Sequence, residues 1–559
     1  MTDQISLSPD DRRKMYRHLP HLPFLFLALT LCMYVNANAF ERPETYDSAI
    51  IWCLLDYGSG VKGADESISL NWGHMNRFDT TVLGFNPSFR ISVGARGNYQ
   101  HRDMMRLLEL FPVYTLRFPP GTYANFYDWD HGTVSPKLAR TYDNETMLRT
   151  IESQRKRVGK LIKSDYRSFL KFTNVYHITP YIVLNPYSAG VSNSEKTVNR
   201  VRAATQQSVR WELGNELSNY DYRGTSTTPW NSGLYVKRAQ AISEYISHNK
   251  GRDKIGVDAA DLLYERGHIS VPKHIRNHQI LWNNSIAKIS NSYDAIIFHP
   301  YINFVPQIIK AGMRDKTALG LCPDISTATA RSLVEYLWAF SAAQEVPSAY
   351  KRYVAVHFPN KQVWLTEVGL AGAERVRGLD FRASGILRSL FNISYLAHWL
   401  KSFPRLGTFM FHFLGEGKGP FSAIYPDGSF NSNAVSYVFL RRLLDKVNKI
   451  DVETFAAGSV LTGVGPYRNR VIQPIIAIMA ENQSVRRVLF VNLGFSPVTV
   501  NNMFTNARVT AIGGLPLVTL RENSINSFAN FRAYNANVSS ITLEEASLTL
   551  IEETNVATQ

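Results

Sequence analysis

Two glutamates stand where apolar, strand-like runs end. Glu216 closes the stretch "SVRWELGNE", and Glu367 closes "QVWLTE". Two carboxyl groups that converge on one cleft can cleave a glycosidic bond, since one protonates the leaving oxygen while the other attacks the anomeric carbon. Their proximity also tends to keep one of them protonated near neutral pH, because like charges resist joint ionisation. We therefore interpret Glu216 and Glu367 as a catalytic pair.

The elements that must position this pair alternate between short apolar runs and longer helical ones. The apolar runs are rich in Val, Ile, Leu and Phe without clean alternation, which is typical of parallel strands buried on both faces. Eight strand–helix units over this length predict a (β/α)8 TIM barrel, whose active site lies at the carboxyl ends of the strands. The predicted strands are 67–72, 113–118, 178–185, 208–215, 254–259, 294–299, 362–367 and 407–413.

The domain organisation follows from a change of pattern near residue 450. Alternating strands broken by Gly, Asn and Pro predict a β-sandwich domain over 450–559, after a catalytic barrel over 66–449. We expect the N-terminal segment 40–65 to join the sandwich. Residues 1–39 carry a basic stretch, an apolar stretch and an A-x-A site, which predict a signal peptide cleaved after Ala39. An uncleaved anchor is the alternative, and no later segment predicts membrane insertion.

Secretion agrees with further features of the sequence. Of the 559 residues 45% are hydrophobic and only 19% are charged, a globular composition rather than a disordered one. Cys53 and Cys322 remain after signal cleavage, and they pair once or stay free. Neither lies in a zinc-binding pattern, so we expect no metal and no organic cofactor. Glycosylation sequons occur at Asn144, Asn283, Asn392, Asn482 and Asn537.

The chain is basic, with a formal net charge of +15. A solvated basic surface is one interpretation, and attraction to a polyanion is the other. The densest run of Lys and Arg lies in 149–167 at helical spacing, which favours an exposed helix face. Since no nucleic-acid-binding motif accompanies it, we expect an acidic glycan rather than nucleic acid as the polyanion.

Glu212 needs a separate interpretation, because it lies four residues before Glu216 on the same side of the predicted strand but deeper. A structural carboxylate paired with a buried arginine, either Arg210 or Arg117, is the favoured interpretation.

Other polar residues fall at predicted strand ends. His299 and Tyr301 alternate after strand six, and a tyrosine hydroxyl there can hydrogen-bond a carboxylate nucleophile. Arg117 could anchor a carboxylate in the mouth. The segment after strand two offers aromatic and amide groups suited to a sugar, from Tyr123, Asn125, Tyr127 and Trp129.

Taken together, "WELGNE", "HPY", "VWLTE" and "LRFPPGTYANFYDW" resemble glycoside hydrolase clan A, most closely the heparanase-like family 79, with families 39, 51 and 30 as relatives. The resemblance covers about residues 65–450, and the sandwich also matches that family's architecture. It implies that Glu216 is the general acid/base and Glu367 the nucleophile. It further implies sugar or nucleophile contacts from Asn215, Tyr301, Thr122 and Asn71.

The sequence also departs from that family's pattern. Leu217 replaces the proline that usually follows Asn-Glu, and Asn71 stands where an aspartate is usual. The stretch after Glu367 lacks the Tyr-Gly-Gly-Gly segment that holds a uronate carboxylate. These departures leave the glutamate pair intact and bear on the specificity for uronic acids.

The leading hypothesis is therefore a secreted, or lysosomal, retaining glycoside hydrolase that cleaves a polysaccharide, with heparan sulfate or another acidic glycan as a candidate substrate. A neutral-sugar glycosidase, arabinofuranosidase-like or xylosidase-like, is the alternative within enzymes. A non-catalytic glycan-binding protein on the same fold is the alternative outside them.

Overall fold

A computed structural model describes most of the chain between residues 68 and 554. The predicted signal peptide 1–39, the segment 40–65, Cys53 and Cys322 lie outside the described residues. The described residues are 68–87, 108–142, 144–158, 165–219, 222, 224–225, 227–248, 252–262, 272–303, 327–371, 386–412, 423, 433–458, 461–463, 465–467, 470–513 and 532–554.

Eight parallel strands close into a barrel in chain order, with the last strand beside the first. They are nearly all buried on both faces, as expected for strands between a packed interior and a ring of helices. The predicted (β/α)8 TIM barrel is thereby confirmed. The strands are β1 Leu83–Asn86, β2 Thr115–Phe118, β3 Thr179–Leu184, β4 Arg210–Leu213, β5 Lys254–Asp258, β6 Ala295–Phe298, β7 Gln362–Val368 and β8 Thr408–His412.

The helices pack their apolar faces onto this barrel. The basic run that the sequence predicted as one helix over 145–173 lies in two helices, and Asp165 begins the second by accepting bonds from the Arg167 and Ser168 amides. The described helices are α1 Pro136–Thr141, α2 Glu145–Val158, α3 Tyr166–Tyr176, α4 Gly190–Ala204, α5 Ser232–His248, α6 Lys273–Ala287, α7 Thr327–His357, α8 Ile386–Ser402 and α9 Asn433–Leu444.

A seven-stranded antiparallel sheet follows the barrel in the chain. Its order is Asn76–Arg77, β9, β10, β11, β14, β12, β13, so a short strand that precedes the barrel forms one edge. The six later strands are β9 Lys449–Phe455, β10 Ile475–Glu481, β11 Val485–Asn492, β12 Val498–Ile512, β13 Arg532–Leu543 and β14 Ser547–Thr554.

Both faces of this sheet are buried. In β10, Ile476 and Ile478 belong to the same apolar core as the barrel, while Ala477 and Met479 belong to a second core. Ile68 and Leu70 join that second core, so residues just before the barrel also pack on this seven-stranded sheet, which we call the β-domain. The sheet therefore combines strands from both sides of the barrel sequence, although the segment 40–65 itself is not described.

The first predicted strand is wrong. Residues 68–70 have no strand structure and residues 72–74 form a 3-10 turn, whereas the first barrel strand is β1, at 83–86. The run 67–72 is apolar because Ile68 and Leu70 pack in the core of the β-domain, not because it lines the barrel.

Among the described residues, no helix combines the length and the apolar character that crossing a bilayer requires.

Candidate active site

Glu216 and Glu367 meet at the carboxyl end of the barrel. An oxygen of one carboxylate lies within 4.8 Å of an oxygen of the other. Glu367 lies in β7 and is 4% exposed, while Glu216 is half-buried in the turn that follows β4. The structure thus brings together two acidic side chains that are 151 positions apart in the chain, at the end of the barrel where active sites are built.

A buried arginine holds Glu367 in place. Arg117, on β2, donates from Nη1 to Glu367 Oε1 at 2.6 Å and from Nε to Glu212 Oε2 at 2.8 Å. Tyr301 donates its hydroxyl to the other oxygen, Oε2, of Glu367 at 2.7 Å. Both oxygens of Glu367 therefore have donors that fix its orientation. Of the two arginines considered for Glu212, the structure selects Arg117.

These contacts change the expected role of Arg117. Its side chain is 0% exposed and also donates to Asn215 Oδ1 at 2.6 Å. Burial would lower the pKa of Arg117, but Glu212 and Glu367 raise it above its ordinary value, so the guanidinium stays charged. Arg117 therefore positions Glu212 and Glu367, and the carboxylates that it anchors in the mouth belong to the protein itself rather than to a substrate.

The turn that carries Glu216 has an unusual backbone. Gly214 has φ of +92°, and a Cβ there would lie 2.1 Å from Leu217 Cδ1, so this position requires glycine. Glu216 itself has φ of +51°, which costs energy for a residue with a side chain. Asp258, at the end of β5, stabilises the turn by accepting bonds from the amides of Glu216 and Leu217 at 3.1 and 2.6 Å.

This turn gives a physical reason for the departure at Leu217. A proline at that position has no N–H and could not donate to Asp258. Because the Leu217 amide makes the 2.6 Å bond, the turn has a second hydrogen bond to Asp258, which a proline at this position could not make.

His299 connects the two glutamates. Its Nδ1 lies 3.0 Å from Glu216 Oε1 and 3.9 Å from Glu367 Oε2, and its Nε2 lies 2.8 Å from Thr366 Oγ1. Burial would lower the pKa of His299, but Glu367 and Glu216 raise it to about 9. The imidazolium form is therefore the main form at neutral pH, and its Nδ1 proton points to Glu216.

The charges around Glu367 favour its ionised form. Burial would raise the pKa of Glu367, but His299, His412, Arg117 and the Tyr301 hydroxyl lower it to about 2. Burial also lowers the pKa of His412 to about 4, so this histidine is uncharged at neutral pH. The positive charge that stabilises the Glu367 carboxylate near neutrality therefore comes from His299 and Arg117.

Two buried amide atoms at this end of the barrel have no hydrogen-bond partner among the described residues. They are Nδ2 of Asn215 and Oδ1 of Asn86. Asn86 ends β1, and its Nδ2 lies 3.1 Å from His412 Nδ1, which in turn lies 3.5 Å from Glu367 Oε2. Buried polar groups normally find partners, so an unpaired donor and acceptor beside the glutamates are suited to a ligand with hydroxyl groups.

Glu216, His299 and Glu367 could each offer one ligand atom to a metal ion, since these atoms lie within 4.8 Å of one another. The donors around them compete with a metal. Both oxygens of Glu367 already accept hydrogen bonds, and His299 is protonated at neutral pH, whereas a metal ligand must be deprotonated. The arrangement fits proton transfer better than metal coordination.

The structure does not bring Asn71 into this site. Asn71 caps a 3-10 turn with its side chain on the Gly73 amide, and its own amide donates to Glu453 in β9 of the antiparallel sheet. The prediction for Asn71 followed from the misplaced first strand. Thr122 is half-buried beside Gly121, where an added Cβ would lie 3.7 Å from Glu367 Oε1, so Thr122 lies close to the mouth.

The segment after β2 contributes structure rather than open sugar contacts. Asn125 is buried and exchanges hydrogen bonds with the backbone of Asn215, at 2.6 and 3.0 Å. Tyr127 and Trp129 are 0% and 2% exposed and pack edge-on against each other. Only Tyr123 of the predicted aromatic set is half-buried.

The sequons differ in accessibility. Asn283 is 1% exposed, and its side chain bonds the backbone of Ala260, while Asn392 is 5% exposed. A glycan cannot be attached to these two in the folded chain, so both predictions are corrected. Asn144 is half-buried at the start of α2, Asn482 is half-buried in the turn between β10 and β11, and Asn537 lies in β13.

Sequence reasoning missed Asp258 and Asn86. Each is the last residue of a barrel strand, and that position was the available signal. Asn86 was overlooked because strand one was placed at 67–72. Asp258 was within a correctly placed strand, but a single aspartate there has many structural uses.

Several solved structures share this fold. A family 51 α-L-arabinofuranosidase from Bifidobacterium longum aligns with a TM-score of 0.55 at 11% identity, over 87% of this chain and 99% of its own. A 4-O-α-L-rhamnosyl-β-D-glucuronidase from Fusarium oxysporum aligns with a TM-score of 0.53 at 12% identity, over 87% and 99%. No protein-family model and no curated protein matches the sequence. At these identities the likeness establishes a common fold.

Proposed function

We propose that the protein is a retaining glycoside hydrolase that cleaves a polysaccharide by double displacement, with Glu367 as nucleophile and Glu216 as general acid/base. The observation that carries the proposal is the approach of the two carboxylates to within 4.8 Å at the barrel mouth, one from β7 and one from the turn after β4. Retaining enzymes hold their carboxyl groups about 5–5.5 Å apart, whereas inverting enzymes need about 6.5–9.5 Å for an intervening water.

In the first step a Glu367 oxygen attacks the anomeric carbon and the bond to the leaving oxygen breaks. Glu216 donates a proton to that oxygen and is left as a carboxylate, to which the His299 Nδ1–H, 3.0 Å away, can donate a hydrogen bond. In the second step Glu216 takes a proton from water, and the water oxygen displaces Glu367 from the sugar. Both carboxyl groups return to their starting states.

The other groups at the mouth support this mechanism by position. A low pKa of about 2 keeps Glu367 ionised and ready to attack. Tyr301 remains a hydrogen-bond donor because burial and then Glu367 raise its pKa well above the usual value. Asn215 Nδ2 and Asn86 Oδ1, which lack partners among the described residues, are the proposed contacts for sugar hydroxyls. The solved structures with this fold include glycoside hydrolases, which adds support by analogy of fold.

Two substrate classes have specific support. An acidic glycan, such as heparan sulfate, is favoured by the net charge of +15. A neutral sugar is favoured by Arg117, whose guanidinium is fully used by Glu212, Glu367 and Asn215 and is not free to bind a uronate. Residues 1–39 support secretion or delivery to a lysosome, which we include in the proposal.

A panel of chromogenic glycosides tests the proposal and separates the substrates. Wild-type protein is assayed on a β-D-glucuronide, an α-L-arabinofuranoside and a β-D-xyloside, alongside Glu216→Gln and the control Glu145→Gln on the exposed surface of α2. We expect turnover of one sugar by wild type and the control, and a folded, nearly inactive Glu216→Gln. Full activity of Glu216→Gln would refute the acid/base role, and glycan binding without any turnover would favour a non-catalytic protein.

A further inference from the structure

A second polar cavity lies at the opposite end of the barrel from Glu216 and Glu367. Its volume is about 300 Å³, and its walls include the first residues of three barrel strands, Arg210, Lys254 and Gln362. Residues 450–452 of β9, residues 404–407 before β8, and residues 76–79, 82 and 400–401 form the rest of its lining. The cavity therefore lies between the amino ends of the strands and the antiparallel sheet.

The cavity has an excess of positive charge. Two acidic side chains, Asp79 and Asp451, face five cations, which are Arg77, Arg210, Lys254, Lys401 and Arg405. Within the described part of the chain, none of these five cations lies within 4 Å of a carboxylate oxygen, although other arginines of the protein make such pairs. Arg77, Lys401 and Arg405 are exposed to solvent, whereas Arg210 is buried and Lys254 is half-buried. Charged groups withdrawn from water are normally paired, so the two inner cations, Arg210 and Lys254, lack a contacting carboxylate among the described residues.

Arg210 shows this lack most clearly, because it is only 8% exposed. Its guanidinium donates to the backbone oxygens of Thr81 and Gly407, at 3.3 and 2.7 Å, and to the hydroxyls of Thr81 and Thr408. All four acceptors are neutral, and burial lowers the pKa of Arg210. The hydrogen bonds fix the direction of the side chain without neutralising its charge.

Lys254 is the second inner cation. Among the described residues its Nζ has one hydrogen-bond partner, Gln362 Oε1, at the long distance of 3.4 Å. Burial first and then Arg210 lower the pKa of Lys254, while Asp294 and Asp79 oppose this only in part. Asp79 acts on both Arg210 and Lys254 through its charge but contacts neither within 4 Å, and its Oδ1 accepts the Thr81 amide at 2.9 Å.

We propose that this cavity binds a small oxyanion, a sulfate or phosphate group, between Arg210 and Lys254, with Arg405 at the rim. The oxyanion would supply the negative charge that the cavity lacks. It would also accept hydrogen bonds from the Lys254 ammonium protons that Gln362 does not bind. A tetrahedral oxyanion offers several acceptor oxygens at once, which suits one lysine and two arginines arranged around it.

The site is separate from the glutamate pair. Trp364 lies between them in the inner layer of the barrel, with the Arg210 guanidinium 5.9 Å from its ring centre. At Gly407 an added Cβ would lie 2.5 Å from Trp364 Nε1, so the wall is closely packed there. The proposal therefore does not depend on the glycosidase function and can be tested without a known sugar substrate.

Isothermal titration calorimetry on the full chain tests the site with sodium sulfate, sodium phosphate and a sulfated monosaccharide, each against sodium chloride at the same ionic strength. We expect saturable 1:1 binding of at least one oxyanion. Lys254→Gln, which removes a half-buried lysine with little bonding, should raise Kd at least about tenfold. The control Lys171→Gln, which removes the same charge from the exposed surface of α3, should leave Kd unchanged within about twofold.

The three titrants distinguish the sources of the oxyanion. Binding of the free ions assigns the site to inorganic sulfate or phosphate, and binding of the sulfated sugar alone assigns it to a sulfate carried on a glycan. The proposal is overturned if no titrant gives saturable binding above the chloride reference, or if Lys254→Gln binds as tightly as wild type.

Discussion

At one end of the barrel a buried arginine meets carboxylates, whereas at the other end a buried arginine meets only neutral oxygens. Arg117 bonds Glu212 and Glu367, and Arg210 bonds two carbonyls and two hydroxyls. The difference shows that burial alone does not define what an arginine does. At the mouth the charge of Arg117 is used within the protein to orient Glu367, the proposed nucleophile. At the opposite end the charge remains available to a ligand.

The largest expected effect is on kcat/KM, which a substitution at the mouth should lower and a substitution at the opposite end should not. Glu367→Gln removes the attacking carboxylate and should lower kcat/KM by about four orders of magnitude or more, with folding retained because Arg117 keeps Glu212 as a partner. Lys254→Gln, at the other end, should leave kcat/KM within about twofold. Steady-state kinetics on the glycoside that the panel identifies, with circular dichroism for folding, measure both. Equal losses in the two variants would contradict the assignment of chemistry to the mouth.

The two arginines should also differ in their contribution to stability. Arg117→Met leaves the Glu212 and Glu367 carboxylates without their arginine partner and should cost about 3–5 kcal/mol in the free energy of unfolding. Arg210→Met leaves only neutral acceptors unpaired and should cost about 1–3 kcal/mol. Urea unfolding measures the two values. A double variant, Arg117→Met with Glu212→Gln, should recover part of the stability that Arg117→Met loses. A larger loss of stability for Arg210→Met than for Arg117→Met would contradict the comparison.

Two histidines at the mouth should make the free energy of unfolding depend on pH in opposite directions. The pKa of His299 is raised from 6.5 to about 9, so its stabilising contribution is complete below pH 6.5 and is lost as pH rises through 9. The pKa of His412 is lowered from 6.5 to about 4, so its contribution is lost as pH falls from 6.5 through 4. Each contribution is about 3 kcal/mol.

Single variants separate these two effects. In urea unfolding between pH 4 and pH 10, His299→Asn should reduce mainly the alkaline loss of stability, and His412→Asn mainly the acid loss, since His299 also acts on the pKa values of Glu367 and His412. If His299→Asn left the alkaline loss unchanged, the proton would not be shared with Glu216 and Glu367 in the way that the contacts indicate.

The smallest expected effect concerns Tyr301. Tyr301→Phe removes one 2.7 Å hydrogen bond to Glu367 and keeps the ring that packs edge-on against His412. The loss of one bond to a charged group should lower kcat about 10–100-fold, with KM little changed if the bond acts on the nucleophile. Tyr293→Phe provides a control, since Tyr293 is buried but its hydroxyl reaches only the Ile286 carbonyl, at 3.4 Å. Equal losses in both would indicate a general structural effect.

The sequence predicted most of the barrel because its strands are nearly continuous apolar runs. Seven of them were placed within about two residues at each end, including those that position Glu216 and Glu367. Strand β1 was missed because it is only four residues, "LGFN", with a glycine inside it. The more strongly patterned run at 67–72 belongs to the core of the β-domain, and local pattern does not reveal which core an apolar run enters.

The sequence indicated that Glu216 and Glu367 converge, because each follows or ends a barrel strand, but it did not decide which arginine pairs with Glu212. Both Arg117 and Arg210 are arginines in barrel strands, so the sequence left the partner of Glu212 open. In the structure the difference is depth, since Arg210 is the first residue of β4 and Glu212 the third. Likewise the sequons at Asn283 and Asn392 meet the triplet rule, but only the fold shows that both side chains face inward.

The stereochemistry of hydrolysis tests the central claim most directly. Proton NMR of the first-formed sugar, recorded during turnover of the glycoside identified by the panel, reports its anomeric configuration before mutarotation. Because Glu216 and Glu367 approach within 4.8 Å, the product should keep the configuration of the substrate. A product of inverted configuration would contradict the account, since it would require a water between two carboxyl groups that the structure holds too close together.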